Sequence, residues 1–130
     1  MILVDTSVWV DYFAGRDTPG PRRVVQMVEQ DEDLCICGPI LTEVLQGIRH
    51  EKDFLKTKQY FGCLIYLPVG QKTYLHAADL YRETRRHGET IRKTIDCIIA
   101  ACAIQHSVFL LENDADFDAI ARHSPLKQVL

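Results

Sequence analysis

The chain opens on an apolar run stopped by a carboxylate: Ile2, Leu3 and Val4, then Asp5, then Thr6 and Ser7 ahead of the helical-looking stretch Val8-Trp9-Val10-Asp11-Tyr12-Phe13. A short uninterrupted apolar run reads as a buried strand, and an acid directly after it is costly as a purely structural residue. In open parallel sheets ligands bind beyond the carboxyl ends of the strands. Asp5 is therefore expected to be the first of several acids, distant in sequence, that the fold gathers around a divalent metal.

The remaining sequence alternates strands and helices. Thr18-Pro19-Gly20-Pro21 is a break, and helical spacing resumes over residues 22–28, forming a helical hairpin with the first helix. Leu34-Cys35-Ile36-Cys37 is a second strand closed by Gly38-Pro39, and Pro39 suits the first turn of a helix over residues 39–50, with Glu43 early in it. A helix over residues 51–61 leads to a third strand, residues 64–67, ended by Pro68. Tyr74, Leu75, Ala78 and Tyr81 recur at helical spacing over residues 72–87, where Gly88 is the stop. Thr94 is the expected N-cap of an apolar helix carrying Ile95, Ile98, Ile99, Cys102 and Ala103, with Asp96 in its first turn. Ser107-Val108-Phe109-Leu110-Leu111 is a fourth strand that again runs into acids, Glu112, Asp114, Asp116 and Asp118. A short helix to residue 123 and an edge run over residues 126–130 complete an α/β/α sandwich with a mainly parallel central sheet.

Composition narrows the classes. A chain of 130 residues, 47% hydrophobic and 25% charged, is read as one globular domain over residues 1–130, able to bury a core without disulfides. No apolar stretch approaches the roughly 20 residues of a membrane helix, and Asp5 cuts the N-terminal run too early for a signal peptide, so the expected place is the cytoplasm and no membrane partner is expected. The five cysteines, an odd number, agree with reduced thiols used for core packing. The net charge of −3 argues against a uniformly basic nucleic-acid surface, but a site holding several carboxylates lowers the total by itself.

The candidate site comprises Asp5 and Asp114 after two strands, Glu43 and Asp96 in the first turns of two helices, and Asp116 beside Asp114. Carboxylates without His or Cys suit a hard cation that takes oxygen ligands, Mg²⁺ or Mn²⁺. Each acid also has a structural reading. Glu43 and Asp96 suit a helix dipole, and Asp114 and Asp116 suit a turn. Thr6 and Ser7 can hydrogen-bond Asp5 or a phosphate, and one of them is expected to cap the first helix.

Four stretches together resemble the VapC-type toxins, small PIN-domain ribonucleases of toxin–antitoxin pairs. They are Met1-Ile2-Leu3-Val4-Asp5-Thr6-Ser7-Val8-Trp9-Val10-Asp11-Tyr12-Phe13, Pro39-Ile40-Leu41-Thr42-Glu43-Val44-Leu45-Gln46-Gly47, Thr94-Ile95-Asp96-Cys97-Ile98-Ile99-Ala100-Ala101 and Leu110-Leu111-Glu112-Asn113-Asp114-Ala115-Asp116-Phe117. The resemblance spans the chain and implies a PIN-like fold with site acids Asp5, Glu43, Asp96 and Asp114, and Asp116 and Thr6 as auxiliaries. It further implies Mg²⁺ or Mn²⁺ held by Asp5, Asp96 and Asp114, an RNA substrate such as tRNA, a VapB-type antitoxin seated in a groove of the early helices, and a homodimer. Glu112 adds a negative charge where many relatives have none.

RNA must be held against this acidic rim. The densest basic segment includes Arg82, Arg85, Arg86, Arg92 and Lys93, and these are the candidate phosphate contacts. Trp9, Tyr12 and Phe13 are assigned to core or partner packing ahead of base stacking. A receiver-like signalling module with the same architecture is disfavoured, because Asp5 lacks an adjacent acid and no Lys follows Leu111. A PIN-fold nuclease acting on DNA or in housekeeping RNA processing is the surviving alternative.

Overall fold

The computed structural model describes residues 1–129, and the elements run β1 (Ile2–Val4), α1 (Thr6–Phe13), α2 (Pro19–Glu29), β2 (Leu34–Cys37), α3 (Gly38–Gln46), α4 (Glu51–Phe61), β3 (Ile65–Leu67), α5 (Gln71–Arg86), α6 (Thr94–Gln105), β4 (Phe109–Leu111) and α7 (Ala115–Arg122). The four strands form one parallel sheet in the order β3-β2-β1-β4. Every strand-to-strand connection passes through helices, as parallel pairing requires. The result is the expected α/β sandwich.

β1 is central, paired with β2 through Leu3 and Cys35 and with β4 through Leu3 and Leu110. Both sides and both ends of its backbone are occupied, and all three of its residues are buried. That is why its sequence is an uninterrupted apolar run. From β1 the chain winds outward to β2 and β3, then returns to add β4 on the other side. The reversal opens a crevice at the carboxyl ends of β1 and β4, where open sheets of this kind take their ligands. The Asp5 N–H donates to the Leu111 carbonyl at 2.9 Å, extending the ladder by one bond and fixing where Asp5 stands.

Several boundaries differ from the sequence expectation. α2 begins at Pro19, so the Pro-Gly-Pro break is its first turn; first-turn N–H groups have no helical partner, so prolines there cost nothing. α3 ends at Gln46, ahead of the expected residue 50, with Gly47 as its C-cap. β3 and β4 are trimmed to three residues each. The edge run contributes an isolated parallel bridge between Leu110 and Gln128, and its last residue lies outside the described residues. Gly88 does end α5, at φ +85°, a left-handed turn that side chains resist.

α6 is buried at seven of its 12 residues, Asp96, Cys97, Ile99, Ala100, Ala101, Cys102 and Ala103, so its single acid, Asp96, is carried by a largely buried helix. Its small Ala and Cys side chains let neighbouring elements approach closely. Trp9, fully buried, packs against Phe13, Tyr60 and Phe61 with ring centroids 5.7, 5.9 and 5.2 Å away, tying α1 to α4. Cys35, Cys37, Cys97 and Cys102 are buried as expected, whereas Cys63 is exposed just past α4 and does not serve the core.

Candidate active site

A cleft of about 240 Å³ at the crevice is lined by Asp5, Thr6, Ser7, Val10, Glu43, Lys93, Asp96 and Asp114. Four acids and a lysine converge there from the β1–α1 junction, α3, the start of α6 and the segment after β4. A larger groove of about 680 Å³ runs between α1 and α4, but its lining of Tyr12, Phe13, Tyr60, Arg49, His50 and Lys56 includes a single acid, Asp53. Chemistry, more than size, marks the smaller cleft as the candidate site.

Local structure explains how each acid is held. Asp5 caps α1: its Oδ2 accepts the Ser7 N–H at 3.0 Å and the Ser7 hydroxyl at 2.7 Å. The expectation that Thr6 or Ser7 would be the cap is corrected, since helical geometry already begins at Thr6. Ser7 Oγ in turn accepts the Asn113 N–H at 3.1 Å, linking the ends of β1 and β4. Thr6 Oγ1 donates to Glu43 Oε1 at 2.7 Å across the cleft. Glu43 is the sixth residue of α3, one turn beyond the expected first turn, so a capping or dipole role does not account for it.

Asp114 caps α7, its Oδ1 accepting the Asp116 N–H at 3.0 Å. Glu112 supports that corner: its Oε2 accepts the Asp114 N–H at 2.6 Å, and its Oε1 accepts from Gln128 Nε2 at 2.9 Å. Lys93 caps α6 in place of the expected Thr94, and no side chain bonds the first turn. Asp96, in that turn, is 5% exposed, and its Oδ2 is buried without a hydrogen-bond partner. Oxygens from Asp96, Asp114 and Asp116 lie within 4.8 Å of one another. This tight triplet differs from the expected Asp5, Asp96 and Asp114 by exchanging Asp5 for Asp116, while Asp5 faces the same cleft.

Electrostatics match this crowding. Burial, then the charges of Asp5 and Asp114, push the Asp96 carboxyl up to about 7. Burial also raises Asp5, partly offset by its bonds to Ser7. Glu112 is raised as well, again chiefly by burial. Carboxylates that resist ionisation together are those a cation would relieve.

The basic segment divides. Arg92 lies on the acids themselves, its Nη2 3.2 Å from Asp114 Oδ1 and its Nε 3.3 Å from Asp116 Oδ2, and Lys93 lines the cleft. Arg82, Arg85 and Arg86 sit on α5 away from the cleft lining. Arg86 pairs with Glu83 at 2.9 Å, and Arg85 stacks over the Tyr81 ring.

A family model described as PIN domain matches residues 2–123. The VapC ribonuclease Mb1587 of Mycobacterium bovis and the ribonuclease VapC11 of Mycobacterium tuberculosis are each 37% identical over 129 residues, covering 98% of this chain and 96% of theirs. The chain belongs to the VapC-type PIN-domain family. The fold of this PIN domain is also that of VapBC2 from Rickettsia felis, solved on a promoter DNA fragment, with a TM-score of 0.77 at 18% identity over 99% of this chain and 98% of that one. VapBC-1 from nontypeable Haemophilus influenzae gives a TM-score of 0.77 at 17% identity, over 99% and 97% of the two chains.

The donors of this PIN domain fit a hard divalent cation. All are carboxylate oxygens, and Asp96 Oδ2 is left without a proton donor in a buried position, a penalty that a bound cation would remove. A hydrogen bond from Ser7 to Asp5 is among the expectations from sequence, whereas the supporting roles of Asn113 and Glu112 are not. Ser7 was visible there as a hydroxyl two residues from Asp5, but the Asn113 and Gln128 contacts join distant parts of the chain and left no local signal.

Proposed function

We propose that this protein is a metal-dependent endoribonuclease and the toxin member of a toxin–antitoxin pair, hydrolysing RNA phosphodiesters with water as nucleophile. The observation that carries the reading is the partnerless, buried Asp96 Oδ2 beside the Asp114 and Asp116 oxygens at the sheet's reversal point. The two mycobacterial relatives are named ribonucleases, and the similar solved structures are VapBC assemblies, which supports an RNA substrate and an antitoxin partner. The whole chain would act as one domain, in the cytoplasm and as a homodimer.

In this reading Asp5, Asp96 and Asp114, with Asp116 beside them, hold Mg²⁺ or Mn²⁺. Such an ion supplies Lewis acidity toward the phosphodiester and a more acidic bound water. Asp96 contributes a charge that its surroundings keep unsatisfied. Asp5 is oriented by Ser7, which commits its Oδ2. Glu43, fixed by Thr6, has its second oxygen free to take the proton of the attacking water or to orient it. Lys93 stands at the rim to offset substrate charge. Because the nucleophile is water, the RNA 2′-hydroxyl is not consumed, and DNA cleavage is the alternative to test.

Purified protein freed of any antitoxin, incubated with total RNA and Mg²⁺ or Mn²⁺, is expected to cut RNA and to lose that activity with EDTA. Asp5→Ala is the control, and equal cleavage by both proteins would sink the mechanism. Growth arrest on expression, lost in Asp96→Ala, separates the toxin role from housekeeping processing.

A further inference from the structure

Arg92 contacts the acid cluster through an exposed side chain. That side chain is 70% accessible, whereas those of Asp114 and Asp116 are 16% and 13% accessible. The acids do not depend on the guanidinium for their places. Asp114 Oδ1 also accepts the Asp116 N–H at 3.0 Å, and Asp116 Oδ2 accepts the backbone N–H of Arg92 at 3.1 Å. Both bonds survive any change of the Arg92 side chain. Arg92 Nη1 makes no hydrogen bond among the described residues, so one edge of the guanidinium is already open.

A dication among Asp96, Asp114 and Asp116 would lie within a few ångströms of this guanidinium, and like charges at that range repel even through water. The backbone bonds would keep the acids in place while the side chain left. Phosphates of a bound nucleic acid would then be able to receive it, since they match the planar fork of arginine. Among the described residues Arg92 is the arginine of this segment that contacts the cluster; Arg86 pairs with Glu83 and Arg85 stacks over the Tyr81 ring.

We propose that Arg92 exchanges partners: it rests on Asp114 and Asp116 while the cluster lacks a dication, and moves to a phosphate of the RNA once the dication is bound. The first half stands on this geometry alone; the second rests on the nuclease reading.

Arg92→Gln removes the charge and keeps the backbone N–H. Without RNA, calorimetric titration is expected to show it binding Mn²⁺ about tenfold more tightly than the wild type. Arg92→Lys, which keeps charge without the fork, should fall between them. RNA binding is read by anisotropy of a fluorescein-labelled phosphorothioate RNA oligonucleotide, whose backbone slows cleavage. At saturating Mn²⁺, Arg92→Gln should bind several-fold more weakly, and the slope of log affinity against log salt should flatten by about 0.7. In EDTA the two proteins should bind alike. Unchanged or weaker Mn²⁺ affinity in Arg92→Gln overturns the counter-ion half. An equal loss of RNA affinity with and without Mn²⁺ indicates a fixed phosphate contact and overturns the exchange. Failure of the wild type to bind RNA at all sinks the nuclease reading and the second half with it, and leaves the Mn²⁺ result to judge the first.

Discussion

The charge on Asp96 should make the metal-free protein less stable as pH rises. Burial and the charges of Asp5 and Asp114 hold this carboxyl at about 7 in the folded state, against 3.8 for the ordinary group. Between those values the native protein keeps a proton that the unfolded chain has released. Stability therefore falls as pH rises from about 4 through about 7 and is level above, the reverse of the usual salt-bridged carboxylate. The full difference, at about 1.4 kcal/mol per pH unit, is about 4 kcal/mol. The cleft opens to water, and screening reduces this to about 2 kcal/mol, or roughly 6 to 10 °C in melting temperature for a chain of this size. Asp96→Asn removes the group. In EDTA its melting temperature should match the wild type near pH 4 and exceed it by that amount at pH 8, followed by circular dichroism or dye fluorescence. Taking the difference between the two proteins cancels every group that does not interact with Asp96. Mn²⁺ at pH 8 should restore the wild type and leave Asp96→Asn nearly unmoved. A variant less stable than wild type at pH 8, or a difference that does not change with pH, would refute the assignment of Asp96 as an uncompensated buried charge.

Thr6→Val removes the 2.7 Å bond to Glu43 Oε1 with little change of shape, and turnover on RNA should fall about tenfold with melting unchanged; an unaltered rate would show that Glu43 needs no anchor. Ser7→Ala deletes a bond to Asp5 Oδ2 and orphans the Asn113 N–H, for a cost of about 1 to 3 kcal/mol in urea unfolding, and a smaller loss would mean that water replaces the hydroxyl. Phe117→Ala empties a fully buried position beneath α7 and should cost about 3 to 5 kcal/mol, so a variant as stable as the wild type would contradict the packing of α7 on the core.

The fold was legible because its signals are local. Four apolar runs, each ended by Gly, Pro or an acid, marked the strands, and 3.6-residue spacing marked the helices between them. The errors fell at ends, where several residues compete for one role. Thr94 is a good capping residue, yet the chain enters α6 at Lys93, and Asp5 displaced Thr6 and Ser7 by being the acceptor nearest the first free N–H groups. In the site, the acids themselves stood out because each interrupts an apolar stretch or follows a strand. Their partners did not. The Thr6 to Glu43, Ser7 to Asn113 and Glu112 to Gln128 contacts join positions 37, 106 and 16 residues apart, so only the topology brings them together. Charge density alone does not tell which basic residues lie at the acids, since α5 carries three of the four arginines of the basic segment and Arg92, outside it, is the one that contacts Asp114 and Asp116.

The structural and catalytic readings of Asp5 and Asp114 turn out to be compatible. Each gives one oxygen to a helix N-terminus, Asp5 Oδ2 to the Ser7 N–H and Asp114 Oδ1 to the Asp116 N–H, and the other oxygen of each makes no hydrogen bond among the described residues. Capping fixes the carboxylate's orientation, and the free oxygen is left for chemistry. The two roles can be separated because an amide can cap but cannot supply a negative charge. Asp5→Asn retains an oxygen for Ser7 and should lose RNA cleavage with its stability in EDTA intact or slightly raised, since burial already disfavours the charge there. Asp5→Ala should lose the same activity and in addition about 1 kcal/mol of stability, the worth of an N-cap. Equal stability in the two variants would show that the cap contributes nothing, and that Asp5 is held in the cleft by the β1 ladder alone.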